Sequence, residues 1–214
     1  MSAGHVILLH GLWMPGISLV PLARRLREAS FSVDTFEYAT VAADPVVAAE
    51  RLVKRLRERD GETVHLVGHS LGGLVALMAL LSADDLPQGR VVCLGSPLNG
   101  SAIAARTAQL PGGPWMLGRS VNTLRGGIRG WDRRRQVGVI AGSVRFGPGT
   151  LLGALDGPSD GTVAVSETRL PGIDDHQIIH VSHTGLLFSA GAAALTIAFL
   201  RSGRFGASAD ARRA

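Results

Sequence analysis

Cysteine is nearly missing. Cys93 stands alone in 214 residues, so no disulfide can form within the chain, and a disulfide-stapled scaffold is excluded. Its setting, Val91-Val92-Cys93-Leu94, reads as buried strand, where a thiol is a small core residue. Aromatic residues are scarce, at 5%, and do not interleave with the basic ones. The net charge of +5 is uneven: Arg133, Arg134 and Arg135 form one run, and Arg201, Arg204, Arg212 and Arg213 stud the C-terminal stretch. A nucleic-acid surface combines basic groups with stacking platforms. The arginines are therefore expected as a solvated basic face, with no nucleic-acid partner. Long hydrophobic runs are missing too. Residues 186–200 are interrupted by Ser189, Gly191 and Thr196 and fall short of the roughly 20 residues of a membrane span. No charged and then apolar leader precedes the first strand. A cytoplasmic protein without a transmembrane segment is the expectation, and the sequence is silent on oligomeric state.

What is present suits one globular domain: 46% hydrophobic residues, 18% charged residues and 28 glycines for tight turns. Strands are expected at residues 5–9, 31–36, 64–67, 90–94, 136–141 and 177–181. Helices are expected at 18–29, with a serine cap at its start, and at 45–59. The latter has Asp44 as N-cap, Pro45 in the first turn, and Val46, Ala49, Leu52, Val53 and Leu56 as its apolar stripe. Further helices are expected at 74–82 and 184–200. Apolar strands alternating with helices predict an α/β fold: a mainly parallel sheet with helices on both faces. Residues 97–130 break the pattern. Rich in Gly, Pro, Ser and Arg and weakly periodic, with one or two short helices expected near residues 102–108, they read equally as a long irregular connection or as a small cap over a pocket. The domain is expected over residues 1–201, with 98–130 as the insertion and 202–214 as a flexible basic tail.

Gly68-His69-Ser70-Leu71-Gly72-Gly73 carries a G-x-S-x-G pattern between a buried strand and an apolar helix. That context fits a nucleophile elbow, a sharp strand-to-helix turn that lifts a serine hydroxyl above the sheet edge. Strand and helix then approach closely, which demands small residues at Gly68 and Gly72. A serine nucleophile needs a base, and the base an orienting acid. Of seven histidines, His183 lies just after the last strand and is favoured over His176 and His180. His69 is expected to point away from the serine, and His10 to shape its loop. Asp160, in Ser159-Asp160-Gly161-Thr162-Val163, is favoured as the acid over Asp156. Asp174 and Asp175 read as solvated. Two backbone N–H groups should form an oxyanion hole, from Leu71 after the nucleophile and from Leu12 in the loop His10-Gly11-Leu12-Trp13. Trp13, Met14, Leu98 and Ile103 are candidates for an apolar pocket wall.

At these residues the sequence resembles the α/β-hydrolase superfamily, in particular its small lipase and esterase branch. The resemblance rests on His10-Gly11-Leu12-Trp13, Gly68-His69-Ser70-Leu71-Gly72-Gly73, Gly95-Ser96-Pro97, Ser159-Asp160-Gly161-Thr162-Val163 and His183-Thr184-Gly185, in that order. It implies a Ser-Asp-His triad at Ser70, Asp160 and His183 and an acyl-enzyme mechanism without metal or cofactor. The substrate would be a small-molecule or lipid ester. The chain is short for the superfamily: it opens at the strand that larger members number third and has no room for a large lid. An acyltransferase or thioesterase using the same triad is the neighbouring reading. A non-catalytic membrane- or partner-binding module is the reading from another class.

Overall fold

Parallel strands buried on both faces must be apolar at successive positions, and the six short apolar runs become six such strands. The structure is a computed structural model describing residues 4–132, 134–147, 149–150 and 155–206. The strands are β1 (His5–Leu9), β2 (Ser32–Phe36), β3 (Val64–His69), β4 (Val91–Leu94), β5 (Val137–Gly142) and β6 (Asp175–Ile179). They form one sheet in the order β2-β1-β3-β4-β5-β6, every pair parallel. Alternate residues feed two cores. Ile7, Leu9, Leu66, Cys93 and Val139 face one cluster; Val6, Leu8, Val67, Val92 and Ile140 face the other. Leu9 pairs with Gly68 and Gly68 with Cys93, so β1, β3 and β4 end level and their loops lie side by side.

The first core is covered by α2 (Pro45–Arg57) and α3 (Leu71–Leu81), the second by α1 (Val20–Glu28), α7 (Gly185–Phe188) and α8 (Ala190–Ser202). Asp44 caps α2 as expected, accepting the Val46 N–H at 2.9 Å, a contact worth about 1 kcal/mol. The buried stripe of α2 runs through Ala48, Ala49, Leu52, Val53 and Leu56, while Val46 is half exposed. It therefore sits slightly off the expected face. α3 begins at Leu71, three residues before its expected start, because the elbow turns straight into helix. Apolar all round, it is buried between the sheet and α2.

Other expectations are corrected. Residues 18–29 are not one serine-capped helix. A 3₁₀ turn (Gly16–Leu19) precedes α1, and the Ser18 hydroxyl donates to the Pro15 carbonyl instead. Asp174 is exposed, as expected, and Asp175 partly so, but both also hold the backbone. They accept the Val137 and Phe205 N–H groups, each at 2.8 Å, and pin the start of β6 two residues early. The last helix is two helices, divided at Ser189, whose extended backbone and side-chain acceptor for Ala192 N–H start α8 afresh. The domain also runs past residue 201. Gly203 turns the chain back and Phe205 is buried against Phe199. The rest of the expected tail, 207–214, lies outside the described residues.

The arginine run is not a solvated face either. Arg135 is buried and donates to the Val64 carbonyl at 2.9 Å and to that of Pro87. Burial lowers its pKa to about 10. Arg134 pairs with Asp132 and Asp84; Arg133 lies outside the described residues. Residues 97–130 form three short helices, α4 (Ala102–Thr107), α5 (Gly113–Leu117) and α6 (Val121–Gly126). Leu117, Leu124 and Ile128 sink into the first core, and Arg119 N–H bonds the Val41 carbonyl at 3.0 Å. The insertion is thus seated on the domain.

Candidate active site

Ser70 links β3 to α3 with φ 53° and ψ −119°, a region costing roughly 1–3 kcal/mol for a residue with a side chain. The turn holds because strand and helix are pressed together. A Cβ on Gly68 would stand 2.4 Å from the Gly72 and Gly73 backbone, and one on Gly72 2.4 Å from the Leu9 carbonyl. Ser70 N–H bonds the Leu94 carbonyl at 2.9 Å, anchoring the elbow to β4. Its side chain stands at the N-terminus of α3, where unpaired N–H groups favour negative charge.

Asp160 and His183 meet 23 residues apart. His183 Nδ1 lies 2.7 Å from Asp160 Oδ2. The carboxylate is buried at 1% exposure, and its other oxygen accepts the Thr162 and Val163 N–H groups at 2.9 and 2.7 Å. His183 N–H in turn bonds the Asp160 carbonyl at 2.9 Å. Acid and base are therefore tied by both side chain and backbone. Gly95, at the end of β4, admits the pair: a Cβ there would stand 3.0 Å from Asp160 Oδ2 and 3.1 Å from His183 Nδ1. The rival residues lie elsewhere. Asp156 and His180 are exposed. His176 sits within β6, its Nε2 2.8 Å from Thr168 Oγ1.

His69 faces His183. Its ring centroid lies 4.6 Å from that of His183, and its Nε2 is 3.1 Å from the His183 carbonyl. Desolvation, with the His183 charge beside it, lowers the His69 pKa to about 3. A neutral ring donating from Nε2 holds the His183 backbone against the elbow. His10 stacks on Tyr38, whose hydroxyl donates to the His10 carbonyl at 2.6 Å. It thus shapes its loop, as expected.

The loop after β1 runs against Ser70: a Cβ on Gly11 would lie 3.1 Å from Ser70 Cβ. Trp13 N–H is taken by Thr40 Oγ1 at 3.1 Å and Met14 N–H by the Gly11 carbonyl at 3.2 Å. Between them and Gly11 lies the Leu12 amide. Leu71 is the first residue of α3, so its N–H has no acceptor within the helix. The expected pocket wall fares less well. Leu98 is wholly buried in the first core and lines no open surface, because the insertion folds over it. Met14 packs against the second core, Ile103 is half-buried on α4, and Trp13 is exposed.

Glu167 was not anticipated at all. It accepts the Ala102 N–H at 2.6 Å and the Ala164 N–H at 2.8 Å, and its carbonyl accepts from Asn99. One side chain thus fastens the insertion to the loop that bears Asp160. Burial, with Asp160 adding to it, raises its pKa. Among the described residues, no group of His, Cys, Asp and Glu is arranged to hold a metal.

Known proteins share this arrangement of the chain. Its fold is similar to that of a mature lipase of Bacillus licheniformis, at 19% identity over 94% of this chain and 92% of that one, TM-score 0.75. A metagenomic carboxyl esterase matches at 18% identity over 95% and 76% of the two chains, TM-score 0.68. A thioesterase domain bound with a dodecadepsipeptide matches at 13% identity over 95% and 94%, TM-score 0.59. No curated protein sequence matches significantly. The model of the alpha/beta hydrolase family matches residues 6–207, and the chain belongs to that family.

Proposed function

We propose that the protein is a serine hydrolase of carboxylic esters that works through an acyl-enzyme on Ser70. One observation carries the reading: a strained serine at a helix N-terminus directly follows His69, whose ring packs 4.6 Å from that of His183, and His183 Nδ1 is bonded to a buried carboxylate at 2.7 Å. Asp160 keeps the Nδ1 proton in place and leaves His183 Nε2 as the base. Nε2 takes the Ser70 proton as Oγ attacks the ester carbonyl. The oxygen of the tetrahedral intermediate receives hydrogen bonds from the Leu71 and Leu12 N–H groups. The imidazolium, stabilised by Asp160, returns the proton to the departing alcohol. Water, deprotonated by the same Nε2, attacks the acyl-enzyme, and its collapse releases the acid and restores Ser70. The chemistry requires no metal or cofactor.

The lipase and esterase neighbours support ester substrates. The thioesterase neighbour supports a second reading, in which the same residues cleave a thioester. A fluorophosphonate probe is expected to label the native protein and not Ser70→Ala. Equal labelling of both overturns the nucleophile. Oxygen esters and thioesters of one acyl chain, compared by kcat/KM, separate the two readings.

A further inference from the structure

We infer that the outer face of the insertion is a docking surface for an anionic lipid surface. Charge is the first observation. Residues 97–130 contain Arg106, Arg119, Arg125 and Arg129 and no Asp or Glu. Among the described residues, none of these four arginines forms an ion pair, whereas Arg55, Arg57, Arg59 and Arg134 all do. The unit thus carries four positive charges and no negative one, against a net +5 for the whole chain. Such unneutralised guanidinium groups suit phosphate oxygens, which they bind with paired, charge-assisted hydrogen bonds.

Apolar exposure is the second observation, and it falls on the same unit. Trp115 is 85% exposed on α5, with Met116 and Leu110 nearly half exposed beside it. Trp13 joins them from the loop after β1: its indole N–H donates to the Met116 carbonyl at 3.1 Å, and its ring is 56% exposed. Two of the three tryptophans thus lie in water at one place, while Trp131 is buried. Exposed indoles flanked by cations match a lipid headgroup region, which accepts an amphipathic ring and a positive charge together. Arg106 lies four residues before Leu110 and Arg119 four after Trp115, so the cations bracket the apolar patch.

A second copy of the chain fits this face poorly, since a self-complementary contact would bring the unpaired arginines together. No helix among the described residues is long and apolar enough to cross a membrane, so the attachment would be peripheral. It would also face the site. Trp13 follows Leu12 directly, and the insertion rests on loops at the strand ends that carry Ser70.

Vesicle flotation of the Ser70→Ala protein tests this without turnover, so its outcome is independent of the hydrolytic reading. Co-flotation is expected with phosphatidylcholine vesicles containing phosphatidylglycerol, and much less with phosphatidylcholine alone. Arg106→Gln and Arg119→Gln should each weaken the anionic binding about five-fold, and added salt should mimic them. Trp115→Ser should weaken binding to both vesicle types and remove the blue shift in tryptophan emission. Its side chain packs little, so a melting temperature equal to that of the parent verifies the fold. No flotation, flotation unchanged by the three substitutions, or concentration-dependent self-association through Trp115 in its place would overturn the inference.

Discussion

The two ends of the sheet are built on opposite principles. At the amino ends of the strands, long charged side chains satisfy the backbone. Arg135 reaches the Val64 and Pro87 carbonyls, Arg90 those of Leu200 and Arg201, and Asp174 the Val137 amide. At the carboxyl ends, the backbone is stripped to glycine at 68, 72, 73 and 95, a serine is held at positive φ, and an Asp–His pair fills the space. One end saturates hydrogen bonds. The other stores strain at Ser70, and the Leu71 and Leu12 N–H groups proposed to receive a reacting oxygen lie at this end. Ligands of parallel α/β sheets sit at the carboxyl ends, and here the contrast has a physical form: stability is concentrated where the chemistry is not.

Substitutions at the two ends should then move stability and activity in opposite ways. Ser70→Gly removes the nucleophile and relieves the backbone. Ester turnover should fall by roughly 10⁴-fold or more, while the urea midpoint rises by the equivalent of about 1 kcal/mol. A fall in stability would mean that the elbow is not strained. At the other end, Arg135→Met leaves two carbonyls without their buried donor. Unfolding in urea should show a loss of roughly 3 kcal/mol, with kcat/KM of the folded protein changed less than two-fold, about the scatter of such comparisons. A large loss of kcat/KM at unchanged stability would erase the distinction between the ends.

Sequence reading reached what is local. The elbow is a strand, a turn and a helix within some fifteen residues, and Asp44-Pro45 announces α2, so both are visible in the order of residue types. What escaped it depends on distant contacts. His69 meets the carbonyl of a residue 114 positions away, so its neighbour Ser70 said nothing of its partner. An arginine run looks solvated, yet Arg135 is drawn inward by the carbonyl of Val64 at the start of β3 and that of Pro87 in the loop before β4, which no pattern connects to it. The helices of the insertion are too short to form alone and their periodicity is weak, so α4 was legible near residues 102–108 but α5 and α6 were not. Leu117, Leu124 and Ile128 fold them by packing onto the core. Leu98, read as pocket wall at the start of the possible cap, is wholly buried in the first core. Glu167 bonds the Ala164 amide three residues back, a local contact, but its tie to the Ala102 amide spans 65 positions and is set by the fold.

His69 offers the finest test, because it belongs to the strained end but acts through stability. Its folded-state pKa is depressed to about 3 by burial and by His183, against about 6.5 in the unfolded chain. Between those values the unfolded state binds the proton and the folded state does not. Stability therefore falls as pH drops below about 6.5 and continues to fall towards pH 3. From pH 7 to pH 5 the loss from this ring should be on the order of 2 kcal/mol. His5 and His176, also lowered chiefly by burial, add in the same direction. His69→Gln keeps an N–H donor for the His183 carbonyl and removes the titration. Its urea midpoints at pH 7 and pH 5 should therefore lie closer together than those of the parent. If the two proteins lose stability equally over that interval, His69 is charged in the folded state, and its buried Nδ1, which has no hydrogen-bond partner, would then need an acceptor beside the carbonyl that Nε2 meets at 3.1 Å.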